Sequence, residues 1–145
     1  MAILGKMTDV TSDFFADTSV MVKPGTGNAE SYSPLALAWL GDAVFELLVR
    51  SRELSKGNAP ADALARAARR HTNAGAQSGY YAALEPLLTD EERAVLKRGR
   101  NAKSTTRAKS ASVVDYRRAT GVEALFGYLY LRGDSARILE LFAAL

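Results

Sequence analysis

The sequence predicts an all-α helical bundle, and three observations carry that prediction. From residue 33 onward apolar side chains recur at helical spacing, and capping residues open one segment after another. Over the same span there is no alternating strand pattern and no strong hairpin signal. At 145 residues, with 48% hydrophobic and 24% charged residues, the chain has the size and composition of one globular domain with a substantial core.

Residues 1–30 read differently from the rest. They mix Gly, Ser, Thr, Asp and Asn, as in PGTGNAES, around short apolar runs such as Ile3-Leu4 and Val20-Met21-Val22. This predicts a variable or partly disordered N-terminal arm ahead of a single domain over residues 31–145. Ser33-Pro34 then supplies an N-cap followed by proline at the first helical position. The helix it opens is expected to run to about Leu54 and to end in Lys56-Gly57-Asn58. After Pro60 the stripe Leu64, Ala67, Ala68 and His71 fits a second helix, and Thr72-Asn73 caps a third leading to Tyr80, Tyr81 and Leu84. Pro86 closes that one. Thr89 with Glu92 forms a capping box, so a helix begins near Asp90 and runs through Leu96. A basic segment, KRGRNAKSTTRAKS over residues 97–110, reads as a helix end followed by a loop. A long helix from about Val113 to Arg132, closed by Gly133, and a last one over residues 136–144 complete the chain.

Two of these helices hold isolated acids. The stretch Leu35 to Val49, LALAWLGDAVFELLV, carries only Asp42 and Glu46 as charges. Leu37, Leu40, Val44, Leu47 and Leu48 share one face, and Leu35, Trp39, Phe45 and Val49 lie opposite, so the helix is expected to be buried nearly all round. A carboxylate in such a helix needs a partner or a job. From Ala119 to Leu131, ATGVEALFGYLYL, Glu123 is the only charge. Gly41 and Gly127 lie beside the two acids and suggest close packing of the helices. If they cross there, Asp42 and Glu123 can share one divalent cation, because hard cations prefer oxygen ligands. The plainer alternative is that each acid pairs with a basic residue. For Glu46 that alternative is favoured, with Arg50 one turn on as its partner.

Composition narrows the function classes. There is no Cys, which excludes disulfides and thiolate zinc sites and suits a reducing cytoplasm. The single His71 makes a histidine-rich metal site or a histidine-based triad a poor reading. No charge-free apolar run reaches membrane-spanning length, and no signal-peptide pattern opens the chain. The net charge of +3 is compatible with a nucleic-acid partner without requiring one.

Three segments together resemble a known family. LAWLGDAVFE is similar to the signature segment of ribonuclease III catalytic domains, and VEALFGYLYL to that family's second acidic helix. Between them, LKRGRNAKS resembles a segment typical of Mini-ribonuclease III, the small bacterial relative. The resemblance covers about residues 33–142. It implies a ribonuclease III-type endonuclease domain in which Asp42 and Glu123 are the catalytic and metal-binding residues. Where the full-length family has two further acids, this chain has Ala38 and Thr120, as the Mini subgroup does.

The resemblance further implies a homodimer that cleaves double-stranded RNA with Mg2+, or Mn2+ in its place, in maturation of the 23S ribosomal RNA precursor. A ribosomal protein is an expected partner on the substrate, membranes are not, and the cytoplasm is the expected location. Lys97, Arg98, Arg100, Asn101, Lys103 and Ser104 are the expected RNA contacts. They lie in a segment with no compensating acid, and RNA duplexes are recognised largely through phosphates and 2′-hydroxyls. Arg69, Arg70 and His71 form a smaller patch with equal claim to be ordinary helix surface. Two rival readings stand beside the nuclease. One is a catalytically silent ribonuclease III-like scaffold that binds RNA or ribosomes, which the loss of acids at Ala38 and Thr120 keeps open. The other is a helical interaction module with purely structural acids.

Overall fold

Residues 29–103 and 112–145 are described by a computed structural model. Ser33 adopts extended backbone, and its hydroxyl accepts the Ala36 amide at 3.1 Å. Pro34 follows where a missing N–H leaves nothing unsatisfied. From this start α1 runs Pro34–Ser55. Then come α2, Ala61–Thr72, and α3, Ala74–Leu84, the latter capped by Asn73 Oδ1 on the Ala76 amide at 2.8 Å. Pro86 sits in a single 3-10 turn, Glu85–Leu87. The capping box forms in both directions: Thr89 Oγ1 accepts the Glu92 amide at 3.2 Å, and Glu92 accepts the Thr89 amide at 2.9 Å. It opens α4, Asp90–Asn101. Helix α5 spans Val113–Leu131 and α6 spans Ser135–Ala143. Gly133, at φ +72°, takes the left-handed turn between them. There its N–H reaches Tyr130 O at 2.9 Å, and the Asp134 N–H reaches Leu129 O at 3.0 Å. Among the described residues there is no strand, so the all-α class stands as predicted.

Helix α5 is the axis of the bundle. Residues 119–129 are buried except Glu123, and α1, α3 and α4 all pack on it. The core around it is apolar and tightly fitted. The Phe45 ring meets Phe126 edge-on with centroids 5.4 Å apart, and Phe142 at 5.8 Å.

Glycines set how closely the helices approach. A Cβ at Gly41 would drive into the Glu123 carbonyl, and one at Gly127 into the Leu37 carbonyl, so α1 and α5 touch backbone to backbone. A second crossing joins α4 to α5: a Cβ at Gly99 would lie 2.8 Å from both Ala124 Cβ and Gly121 Cα.

One expectation is corrected. Helix α1 is not buried all round. Phe45 and Val49 are fully buried, but Trp39 is 81% exposed, and Leu35 and Leu47 are exposed with it. The apolar pattern records surface that nothing among the described residues covers. The basic segment opens as the helix end that the sequence predicts. Lys97 to Asn101 form the last turn of α4, because Gly99 packs against α5 and holds that turn in place. Residues 1–28 and 104–111, which include most of the expected arm and Ser104, lie outside the described residues. Ala29–Ser31 form a short 3-10 turn whose Ala29 is buried in the core.

The crossing predicts opposite signs for two glycine substitutions. Gly41→Ala costs about 3 kcal/mol or more in urea unfolding, because two backbones must separate. Gly79→Ala, in α3 with open space around it, gains about 0.5–1 kcal/mol from helix propensity alone. Equal effects at the two positions would contradict a backbone-limited crossing.

Candidate active site

Asp42 follows Gly41 on α1, and Glu123 lies one turn before Gly127 on α5. Because the two helices meet at those glycines, the acids come together at the crossing. Asp42 is exposed, and Glu123 is partly buried. The charge of Asp42 reaches Glu123. Burial first, and that charge second, raise the Glu123 carboxyl from 4.5 to about 8. Asp42 is also raised, by partial desolvation and then by Glu46.

The other buried acids behave in the opposite way. Glu92 takes a bidentate grip from Arg137, at 2.9 and 2.8 Å, and is held below the usual carboxylate range first by that bond. Glu53 is lowered by its bond to Lys56 at 2.9 Å, and His71 lies 3.5 Å away. Glu46 pairs with Arg50 at 2.8 Å, as its spacing predicted. Among the described residues neither Asp42 nor Glu123 has such a basic partner. Two carboxylates with no counter-ion suit a hard divalent cation, which would relieve both their repulsion and the raised pKa values.

The donor set is small. Among the described residues no group of three or more His, Cys, Asp or Glu side chains gathers to hold a metal. Ala38 is buried, and the Thr120 hydroxyl donates to the Tyr116 carbonyl at 2.9 Å, so neither position offers a ligand. A cation held by Asp42 and Glu123 would therefore keep most of its coordination shell for water and phosphate oxygens. Beside Asp42 an open groove of about 520 Å³ follows α1 past Trp39, Ala43, Glu46 and Arg50.

The expected RNA contacts divide into two groups. Lys97, Asn101 and Lys103 are exposed. Arg98 reaches the carbonyls of Glu30 and Tyr32 at 3.5 and 3.4 Å, clasping the segment that enters α1. Arg100 donates to the Tyr81 hydroxyl at 2.9 Å and to Asn101 Oδ1 at 3.1 Å. Ser104 lies outside the described residues. His71 is bonded to the Tyr80 hydroxyl at 2.7 Å, a structural use, while Arg69 and Arg70 are exposed. Sequence reasoning passed over Arg118. Its signal was the Arg117-Arg118 pair just beyond the basic segment, on the far side of residues 104–111.

Comparison with known proteins shows what the chain as a whole is similar to. The model of the Ribonuclease III domain matches residues 35–134. Mini-ribonuclease 3 of Brevibacillus brevis is 49% identical over 109 residues, covering 75% of this chain and 81% of that protein. Mini-ribonuclease 3 of Symbiobacterium thermophilum is 44% identical over 117 residues, 81% of this chain and 90% of the relative. In structure, the chain is similar to a crystallised protein from Fusobacterium nucleatum, with a TM-score of 0.72 and 32% identity. That match covers 81% of this chain and 94% of the other.

The Glu123 shift has a stability consequence. The folded chain keeps a proton on Glu123 that the unfolded chain releases near 4.5, so the contribution of Glu123 to stability is full below about 4.5 and falls as pH rises through the window to about 8. Without metal, raising the pH across that window should lower stability by at least about 1 kcal/mol, several degrees in Tm. Glu123→Gln should remove this dependence. A flat Tm in the wild type across the window would contradict the burial and pairing described above.

Proposed function

The chain belongs to the ribonuclease III family, in its Mini-ribonuclease 3 branch, and is an endoribonuclease; we propose that it hydrolyses double-stranded RNA at a divalent cation held between Asp42 and Glu123. The observation that carries this reading is the pair of carboxylates at the α1–α5 crossing, with no counter-ion among the described residues. The ribonuclease III family is metal-dependent in general, and for this chain the cation we propose is Mg2+, with Mn2+ able to replace it. When bound, the cation supplies Lewis acidity at the scissile phosphate and acidifies water beside it. The protein's own part is to orient the two carboxylates and to release the Glu123 proton so that both are charged. Ala38 and Thr120 leave room in the shell for the RNA phosphate itself.

The partner that fits the outer face of α1 is a second copy of this chain. Trp39, Leu35 and Leu47 form an exposed apolar band beside Asp42, and covering it in a homodimer would set two sites together, one for each strand of a duplex. Sedimentation at the monomer mass alone would contradict this. Following the family resemblance, the substrate is the 23S ribosomal RNA precursor, presented with a ribosomal protein. The cysteine-free composition fits a cytoplasmic setting, and no helix among the described residues is long and apolar enough to cross a membrane.

One observation favours the rival scaffold reading: the two positions that could carry further acids are buried and unavailable. Cleavage separates the readings. Asp42→Asn and Glu123→Gln should each lower cleavage of a long RNA duplex at least about a hundredfold, while duplex binding in EDTA stays near wild type. Chelation should likewise abolish cutting by the wild type. Full activity in either variant would contradict the assigned site, and a wild type that binds without cutting would favour the scaffold.

A further inference from the structure

The second glycine crossing also brings together two side chains of like charge, this time cations. Gly99 and Gly121 let α4 and α5 approach until a Cβ at Gly121 would lie 2.7 Å from the Leu96 carbonyl. Arg100, one residue beyond Gly99, and Arg118, three residues before Gly121, then converge on one aromatic ring. Their guanidinium carbons lie 5.8 and 5.9 Å from the centroid of Tyr81. Tyr81 is 4% exposed, and its hydroxyl takes the Arg100 donor at 2.9 Å, so the ring is a fixed spacer rather than a mobile one.

Neither guanidinium is paired with a carboxylate among the described residues. Cation–π contact holds each in place but does not neutralise it. Arg118 is exposed and borders an open cavity of about 400 Å³, lined also by Tyr81, Ala82, Glu85, Pro86 and Arg93. In that cavity Arg93 is already committed to the carbonyls of Glu85 and Leu88, at 3.1 and 3.2 Å, and to the Asp90 carboxylate at 3.4 Å, and Glu85 also lines it. Two guanidinium groups held against one ring, neither ion-paired among the described residues, suit an anion.

We propose that Arg100 and Arg118, both held against the Tyr81 ring, form a phosphate-binding site for the RNA backbone. Arg118, on α5 as Glu123 is, thereby fixes the duplex relative to the carboxylate pair. Arg118 is the principal ligand and Arg100 the second. Tyr81 is a positioning residue that sets their spacing. This assignment rests on the RNA-cleaving reading above, but it concerns binding and does not depend on the metal site.

The test measures duplex affinity of the full chain in EDTA across a range of salt. Arg118→Ala should weaken binding about tenfold and reduce the slope of log affinity against log salt by about 0.9, the loss of one phosphate contact. Under cleavage conditions its KM should rise while kcat stays within about twofold. Arg118→Lys should restore the slope, because the charge returns. Tyr81→Phe should weaken binding without changing the slope, because no charge is lost. An unchanged slope in Arg118→Ala overturns the site, whether or not Tm falls. Inorganic phosphate that shifts the Arg118 side-chain NMR signals while that slope is unchanged would mean a free-anion site, and also overturns it. If instead Glu123→Gln cuts RNA normally, the metal reading fails while the slope still decides this one.

Discussion

The contact on which the structure depends is the meeting of two backbones at Gly41 and Gly127. Helices α1 and α5 are both too apolar to stand in water, and each buries its stripe against the other. With side chains at those two positions the helices would pack at an ordinary separation. Without them, the Glu123 and Leu37 carbonyls occupy the space a Cβ would need. The acids on either side have no freedom to spread apart, since their helices are locked by Phe45, Val49, Phe126 and Leu129. Their repulsion and partial burial are offset by that packing. The result is a carboxylate pair that favours a proton, and the proposed divalent cation would take that proton's place.

The same helix is used twice. On one side of α5 the glycine crossing with α1 gathers two acids. On another, the crossing with α4 gathers two bases around Tyr81. The charges that serve structure are handled differently, in pairs of opposite sign. Arg137 grips Glu92 and also reaches the Leu87 carbonyl at 2.9 Å, tying α6 to the start of α4. Arg132 does the same for Glu91 and the buried Tyr128 hydroxyl, at 3.3 and 2.7 Å. Pairs of opposite charge brace the ends of the bundle, and like-charge pairs with no counter-ion among the described residues sit at its glycine crossings. That contrast separates the candidate functional charges from the structural ones more sharply than burial does.

Much of this was legible in the sequence because the signals were local. Caps at Ser33, Asn73 and Thr89, and the stop at Gly133, act within one helical turn, so they read directly. An isolated acid beside a glycine in an apolar helix was legible for the same reason, twice over. What could not be read depended on a distant partner. Gly99 lowers helix propensity, yet α4 continues through it to Asn101 because the missing side chain admits α5. Trp39 looks like core by pattern, but pattern does not say whether this chain or another surface covers it. Arg98 and Arg100 looked free as charges in a run. Their carbonyl and tyrosine partners lie up to 68 residues away.

The central claim is that Asp42 and Glu123 form one cation site whose electrostatics are set by the crossing. Its most direct test is a calorimetric titration of Mg2+ or Mn2+ into the protein near pH 7, repeated in buffers of different ionisation enthalpy to count protons. Glu123, raised to about 8, must lose its proton to act as a ligand. The prediction is that close to one proton leaves per cation bound, and that Glu123→Gln loses both the proton release and most of the affinity. Cation binding with no proton release, or undiminished binding when Asp42 and Glu123 are both replaced, would contradict it.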